Sequence, residues 1–294
     1  MPAYLQPEED GLPMREFGPW VVEKLDYLER YINVFEISMR DKPWRKRHYI
    51  DLFAGCGKCY VPETKKVYLG SPLLSLTTSH PFTDYFFVDL APDNITVLQQ
   101  RCSASPVYNH VRCLVGDGNL LAQDIVEHIL AVDSERIPGQ WSSLNLAFLD
   151  PDGLELQWQT VTTLARPFRM DLIIHYPQGG LNRYMGQAFK MEGETVVDLF
   201  FGGAEWRRIY EEWRTGQKRF GLHRRLMDYY KGKLRDLGYK EVLRDDEVGD
   251  EPLVRNAKKR APLYRLLFAS KHSLGHAFWQ RVVRRDVYGQ RRLL

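Results

Sequence analysis

Hydrophobic positions along the 294-residue chain change their period from one segment to the next, and the changes divide it into elements. Across residues 20–40 the apolar residues Val21, Leu25, Leu28, Ile32 and Phe35 recur at spacings of three and four, which predicts an amphipathic helix packed on the edge of a sheet. The run "RHYIDLF" that follows is short, β-branched and aromatic and ends in a glycine turn, so it predicts a strand. "GSPLLSL" predicts a helix start with Ser71 as N-cap and Pro72 at the first helical position. The alternation then continues: strand 84–90, a helix at 92–102 opened by Pro92 or Asp93, strand 110–118, helix 120–132, strand 144–150 and strand 170–177. Strands separated by helices of this length need right-handed crossovers, which implies a parallel sheet covered on both faces.

Beyond Gly180 the rhythm changes. Residues 205–237 form a charged, aromatic-rich helical pattern. "YKEVLR" and "PLYRLLFASKH" then predict two late strands, paired antiparallel at the sheet edge across the acidic linker "DDEVGDEP". The expected organisation is one domain over residues 1–294, with an N-terminal helical segment at 15–42 and a helical insertion at about 181–237. No internal repeat or low-complexity tract interrupts it.

A hydrophobic content of 44% is enough for a continuous core. The chain has no run of about 18 uncharged apolar residues, and its N-terminus lacks the basic flank and apolar centre of a signal peptide, so the expectation is a cytoplasmic protein without a membrane partner. Four cysteines do not suggest a disulfide framework. The net charge of +3 conceals an asymmetry: Pro252 to Leu294 carries eleven Lys and Arg against the single acid Asp286, about +10, and leaves about −7 for the rest. Such a tail fits a polyanion partner, the plainer alternative being a solvated basic face.

Candidate chemistry gathers at the strand ends. The turn at Gly55 and Gly57 follows the first strand, where a backbone free of side chains can approach a ligand beyond the C-terminal edge of the sheet. A dinucleotide fingerprint would need a third glycine near Tyr60 and an immediate helix, and neither is present, which argues against a plain NAD site. Acids sit at four successive strand ends: Asp51, Asp89, Asp117 and Asp150. A carboxylate at Asp89 can accept hydrogen bonds from ribose hydroxyls, and Asp117 can face an adenine amino group; each is alternatively a helix cap. Cys56 and Cys59 lack the second close pair or nearby histidine of a zinc site, and a loop to Ser71 separates them from the helix that a redox pair would precede. They are expected to line or neighbour the glycine turn.

With "DLFAGCG", "VDL", "GDG" and "LDPDG" as its first four motifs, the chain resembles class I S-adenosylmethionine-dependent methyltransferases. "YIDLFAGCG", "GSPLLSL", "FLDPDGL", "DLIIHYPQGGLNRY", "LFFGGAEW" and "RNAKKRAPLYRLLFASKH" extend the resemblance, in order and over nearly the whole chain, to the three-Cys-motif partner (TcmP) family. The resemblance implies a Rossmann-like class I methyltransferase fold: a mostly parallel, doubly wound sheet with an antiparallel C-terminal edge strand. It further implies S-adenosylmethionine as cofactor, held by Asp51, Gly55, Gly57, Asp89, Asp117 and Asp150. A three-Cys-motif protein is the implied partner. The family usually has proline where this chain has Cys56.

In adenine-N6 and cytosine-N4 methyltransferases the fourth motif ends in two prolines and a base-stacking aromatic, whereas here Asp152 and Gly153 stand there. Asp150 and Asp152 are the candidate catalytic residues: Asp150 to accept a hydrogen bond from the attacking amine or hydroxyl, Asp152 as general base or, equally, an Asx-type turn residue. Tyr176 or Trp158 could supply the missing aromatic or be ordinary core, the commoner fate, and His175 reads more readily as a core histidine than as a catalyst. Gln178, Asn182 and Arg183 are candidates for substrate contact or helix capping. Lys258, Lys259 and Arg260, just before the last strand, are candidates for phosphate contact, joined by Arg207, Arg208, Arg224 and Arg225 with Trp213, Tyr229 and Tyr230. The leading expectation is a methyltransferase of nucleic acid, RNA favoured. The alternatives are methylation of a protein or small molecule, and a noncatalytic methyltransferase-fold subunit.

Overall fold

A computed structural model describes residues 2–135, 137–218, 220–243, 251–256 and 258–285. Its centre is a seven-stranded mixed sheet flanked by helices. In chain order the elements are β1 (Arg15–Glu16), α1 (Trp20–Met39), β2 (Arg47–Asp51), β3 (Lys58–Val61), β4 (Lys66–Leu69), α2 (Ser71–Leu76), β5 (Asp84–Asp89), α3 (Pro92–Cys102), β6 (Val111–Val115), α4 (Gly118–Ser134) and β7 (Leu144–Leu149). They continue with α5 (Trp158–Leu164), β8 (Met170–Tyr176), α6 (Gln178–Ala188), α7 (Val196–Phe201), α8 (Trp206–Arg214), α9 (Leu222–Asp236), β9 (Leu253–Arg255), β10 (Pro262–Ala269) and α10 (Ser273–Val283).

The large sheet has the order β6-β5-β2-β7-β8-β10-β9. Its first five strands are parallel and β10 runs antiparallel to both neighbours. Alternate residues of the central strands supply two cores. Ile50, Phe86, Ala147 and Leu172 face α4 to α9, while Tyr49, Tyr85, Phe148 and Ile173 face α1 to α3 and α10. With both faces covered, every residue of β7 and β8 is buried, which is why those strands read as mainly apolar, broken by Asn145, Asp171 and His175, rather than as alternating.

Several sequence expectations need correction. Residues 240–243 form a short 3-10 turn instead of a strand, with Arg244 and the acidic linker up to Asp250 outside the described residues. Tyr239 and Val242, three apart, both point into the core, a spacing that suits a helical turn and not a strand. Leu253–Arg255 takes the predicted pairing place beside β10. The antiparallel strand is consequently one position in from the edge, and the short β9 forms the edge itself. α1 lies on a sheet face and not at an edge: Tyr31 and Phe35 belong to the second core, and the Tyr31 hydroxyl donates to Asp171 over 2.9 Å. The helix begins at Trp20, and residues 15–16 ahead of it are strand β1. Gly70, not Ser71, is the N-cap of α2. The segment expected to be a loop after Cys59 is the hairpin β3–β4, whose outer neighbour is β1, paired parallel with β3.

The residues before α1 are fastened by a buried ionic triad. The Asp10 side chain is fully enclosed and meets Lys58 Nζ and Arg101 Nε, each at 2.9 Å. Lys58 also donates to the carbonyls of Ala3 and Glu8, and Arg101 to those of Cys56 and Leu12.

Candidate functional site

A cleft of about 490 Å³ opens at the C-terminal ends of β2, β5 and β7, bounded on its outer side by β1 and the start of α1. Its floor is the turn from Leu52 to Gly57. Gly55 and Gly57 have φ of +62° and +90°, where a side chain is strained. A Cβ on Gly57 would also lie 2.9 Å from Leu98 Cδ1. The turn is held at fixed points: Ala54 N–H donates to Val88 O at 2.8 Å, Gly55 N–H to Asp89 Oδ2 at 2.9 Å, and Arg101 Nη1 to Cys56 O at 2.6 Å.

Asp89, Asp117, Asp150 and Asp152 all line this cleft, together with Gly55, Gly57, Cys56 and Cys59. Asp89 Oδ1 accepts from Ala91 N–H and Asn94 Nδ2, both at 2.9 Å, so the carboxylate is oriented before any ligand arrives. Asp117 is the N-cap of α4: its Oδ1 accepts from Asn119 N–H at 2.8 Å. Asp51 stands apart from the other strand-end acids. It is enclosed beneath the turn and contributes no surface to the cleft; burial raises its carboxyl to about 7, and Oδ2 has no hydrogen-bond partner among the described residues. Cys56 and Cys59 are free thiols, and burial pushes Cys59 up to about 12, too high for a ready nucleophile. Among the described residues no group of three or more His, Cys, Asp or Glu is placed to hold a metal.

Both carboxylates of the fourth motif meet cations from the N-terminal segment. Lys24 of α1 pairs with Asp150 Oδ2, with only 11% and 13% of the two side chains exposed, and Arg15 of β1 pairs with the half-exposed Asp152. Lys24 also sits over the rings of Phe17 and Tyr264, at 5.9 and 5.6 Å. Burial and the neighbouring Asp150 raise Asp152, against the opposing pull of Arg15. Asp152 does not close the "DPDG" turn as an Asx residue; Glu155 does, its carboxylate accepting from Gly153 N–H at 2.7 Å. His175 Nδ1 donates to Pro151 O at 2.8 Å and lies 3.7 Å from Asp150 Oδ1. Burial lowers His175 to about 4, so it is a neutral backing residue at pH 7.

Lys24, Arg15 and Asn119 escaped the sequence reading. Asn119 ties α4 to the wall of the cleft, donating to Glu155 O and accepting from Gln157 N–H and Thr160 Oγ1. Lys24 did leave a signal, since it is a charged residue on the apolar stripe between Val21, Leu25 and Leu28. A charge on a buried face calls for a partner.

The candidate substrate residues lie outside the cleft. Gln178 is buried and accepts from Arg265 Nε at 3.2 Å, Asn182 Oδ1 lies 2.7 Å from His223 Nε2, and Arg183 rests 6.0 Å from the Tyr184 ring centroid. Lys258, Lys259 and Arg260 occupy the exposed turn between β9 and β10, with Asn256 Oδ1 accepting from the Lys258 and Lys259 amides. Because β10 runs antiparallel to β8, this turn is at the same end of the sheet as the cleft, three strand spacings from β2, or roughly 14 Å. Tyr176 and Tyr230 are core residues, and Trp158 packs edge-on against Tyr230 at 5.0 Å. Of the named cations of the helical insertion, Arg207 pairs with Asp198, Arg208 and Arg225 share the single carboxylate of Glu212, and Arg224 is exposed. Asp286, Arg291 and Arg292 of the basic tail fall outside the described residues.

No family model matches the chain. No curated protein matches it either. Among solved structures it is similar to a protein of Legionella pneumophila (11% identity, 62% of this chain and 74% of that one, TM-score 0.38). It is also similar to a protein of Bordetella parapertussis (12%, 91% and 77%, TM-score 0.38) and to a geranyl diphosphate methyltransferase complexed with geranyl diphosphate and sinefungin (10%, 82% and 77%, TM-score 0.32). Identities and TM-scores at this level are too remote to transfer a function. No helix among the described residues is long and apolar enough to cross a membrane.

Proposed function

We propose that the cleft binds S-adenosylmethionine and that the protein is a class I methyltransferase of the three-Cys-motif partner type, acting on nucleic acid with RNA favoured. The observation that carries this reading is the convergence of the glycine turn and the carboxylates of Asp89, Asp117 and Asp150 on one cleft at the C-terminal ends of neighbouring parallel strands. The residues fit the cofactor. Asp89 offers a pre-oriented carboxylate to a ribose edge, the turn at Gly55 leaves open space where a side chain would stand, and Lys24 and Arg15 are cations suited to an amino-acid carboxylate. The volume lies within the usual range of small-molecule sites, roughly 300–1,000 Å³.

When bound, S-adenosylmethionine supplies an electrophilic methyl group on a sulfonium. The chain's own contribution is position and dryness. Lys24 pairs with Oδ2 of Asp150, and Oδ1 is enclosed with His175 Nδ1 3.7 Å away, so an attacking amine or hydroxyl reaches this carboxylate only by sharing Oδ2 with Lys24. Val21, Leu25 and Leu52 give that end of the cleft an apolar wall.

Calorimetric titration with S-adenosylmethionine and S-adenosylhomocysteine tests the reading. Micromolar binding is expected, weakened about 10- to 100-fold in Asp89→Ala, because an unmet ribose edge costs roughly 1–3 kcal/mol. Binding unchanged in Asp89→Ala would remove Asp89 from the site. A second reading, a noncatalytic subunit of a three-Cys-motif protein, draws support from the ion pairs that engage both Asp150 and Asp152. No binding by a folded protein would favour it.

For the nucleic-acid substrate, RNA affinity is expected to fall steeply as salt rises, and the slope of log K on log salt to flatten by about two in a Lys258→Glu, Lys259→Glu double variant. A salt-independent affinity would point to a protein or small-molecule acceptor.

A further inference from the structure

At the opposite end of the sheet, where the chain enters β2, β7 and β8, three aromatic side chains surround one arginine. Trp44 and Trp141 pack edge to face with ring centroids 4.7 Å apart, and their backbones meet in a parallel bridge. The Arg169 guanidinium lies 4.7 Å from the Trp44 ring centroid and 5.7 Å from those of Trp141 and Phe168. This is an exposed patch: Phe168 is 73% and Trp141 44% accessible. Isolated apolar side chains on a surface need no explanation, but two aromatics flanking an arginine have the composition of a binding hot spot.

The patch is also short of acceptors. Arg169 Nε and Trp44 Nε1 are both buried donor atoms without a hydrogen-bond partner among the described residues. The carboxylates at this end of the sheet are already engaged: Glu135 by Arg45, Asp84 by Lys46 at 3.0 Å, and Asp133 by the Ser143 amide at 2.7 Å and its hydroxyl at 2.6 Å. The backbone cannot turn the arginine away, because Arg169 O accepts from Asn145 N–H at 3.0 Å and from its Nδ2 at 2.7 Å. Arg169 Nε and Trp44 Nε1 are enclosed and out of reach of an outside ligand, but the Arg169 Nη donors are neither enclosed nor paired with a carboxylate among the described residues, and an external anion can meet them.

We propose that this patch docks an acidic segment of a partner protein, with an Asp or Glu carboxylate on Arg169 and an adjacent apolar side chain against Trp141 and Phe168. The chemistry favours a peptide carboxylate over a phosphate backbone. A nucleic acid gains affinity from many unpaired cations in a row, and here Arg45 and Lys46 are already paired. A carboxylate on a short side chain, flanked by apolar groups, suits a single cation inside an aromatic rim. This surface is separate from the cleft, so its test does not depend on cofactor binding.

A random peptide library displayed on phage would be selected on the whole protein, and enriched peptides measured by fluorescence anisotropy. Enriched sequences should carry Asp or Glu beside an apolar residue, and their affinity should fall at least tenfold in both Arg169→Gln and Phe168→Ser. Phe168 is exposed enough that its replacement should leave the melting temperature unchanged, which separates loss of docking from loss of folding. The proposal is overturned by enriched peptides without acidic residues, by binding indifferent to both variants, by failure to enrich any peptide, or by single-stranded RNA displacing the peptides and losing affinity in the same variants.

Discussion

Asp10→Ala is expected to destabilise the protein by about 3–5 kcal/mol and to expose the residues before α1 to proteolysis, because it strips from two enclosed cations the only carboxylate that meets them among the described residues. Burial alone would raise Asp10; the Arg101 guanidinium and Lys58 ammonium overcome it and hold the carboxyl well below the usual range. A depressed carboxylate contributes stability above its unfolded value and loses it as pH falls, so the variant should also lack part of the wild-type response to acid. Urea midpoints and the appearance of cleavage sites before Trp20 measure the effect. Replacing Asp10, Lys58 and Arg101 together by apolar residues should recover much of the loss, since the damage lies in unpaired charge and not in the missing pair. A single variant as stable as the wild type would mean that water reaches the triad.

The second large effect concerns Asp51. At pH 8 Asp51→Asn is expected to be more stable than the wild type, by up to about 4 kcal/mol or several degrees in melting temperature, and at pH 4 the two should differ little. Burial raises this carboxyl to about 7, so between the unfolded value near 4 and pH 7 the folded chain keeps a proton that the unfolded chain has released. The resulting stability is complete below the unfolded value and is lost as pH rises through 7, where a charge is buried with Oδ2 unpartnered. Glu36 at about 7 and Asp171 at about 6 act in the same direction, whereas His175 and His223, each lowered to about 4 by burial, act in the opposite one between about 4 and 6.5. The comparison is therefore made at one position across pH. Parallel melting curves for variant and wild type would show that Asp51 is ionised without penalty.

The strands that carry the cleft were legible because they are buried on both faces: "YIDLF", "YFFVDL" and "LNLAFLD" have few polar interruptions and end at glycine or acid. The strand-end acids and the glycine turn were legible for the same reason, since sequence order alone puts them at one edge of a parallel sheet. Long-range partners were not. Lys24 meets Asp150 across 126 residues and Arg15 meets Asp152, and no local pattern carries that information. The expectation of a loop from Cys59 to Ser71 passed over the hairpin, in which "KCYV" and "KVYL" flank a turn whose proline ends β3. "YKEVLR" misled in the other direction. Its β-branched and aromatic residues suit a strand, but packing beneath α9 at a spacing of three set the outcome.

The packing of α1 against α10 bears on how the chain comes together. Arg30 donates to Val282 O at 2.7 Å across 252 residues, and Tyr27 and Tyr31 lie against Trp279 at 6.4 and 5.8 Å between ring centroids. During synthesis Phe35 can meet Phe82 and Tyr31 can meet Asp171 well before α10 is made, but the side of α1 that receives Trp279 and Val282 stays open until then. Loop closure over that distance has to precede the reward of the contact, which places the sealing of this face late in folding. Until then the nascent chain carries an apolar helix that chaperones can hold and other chains can capture.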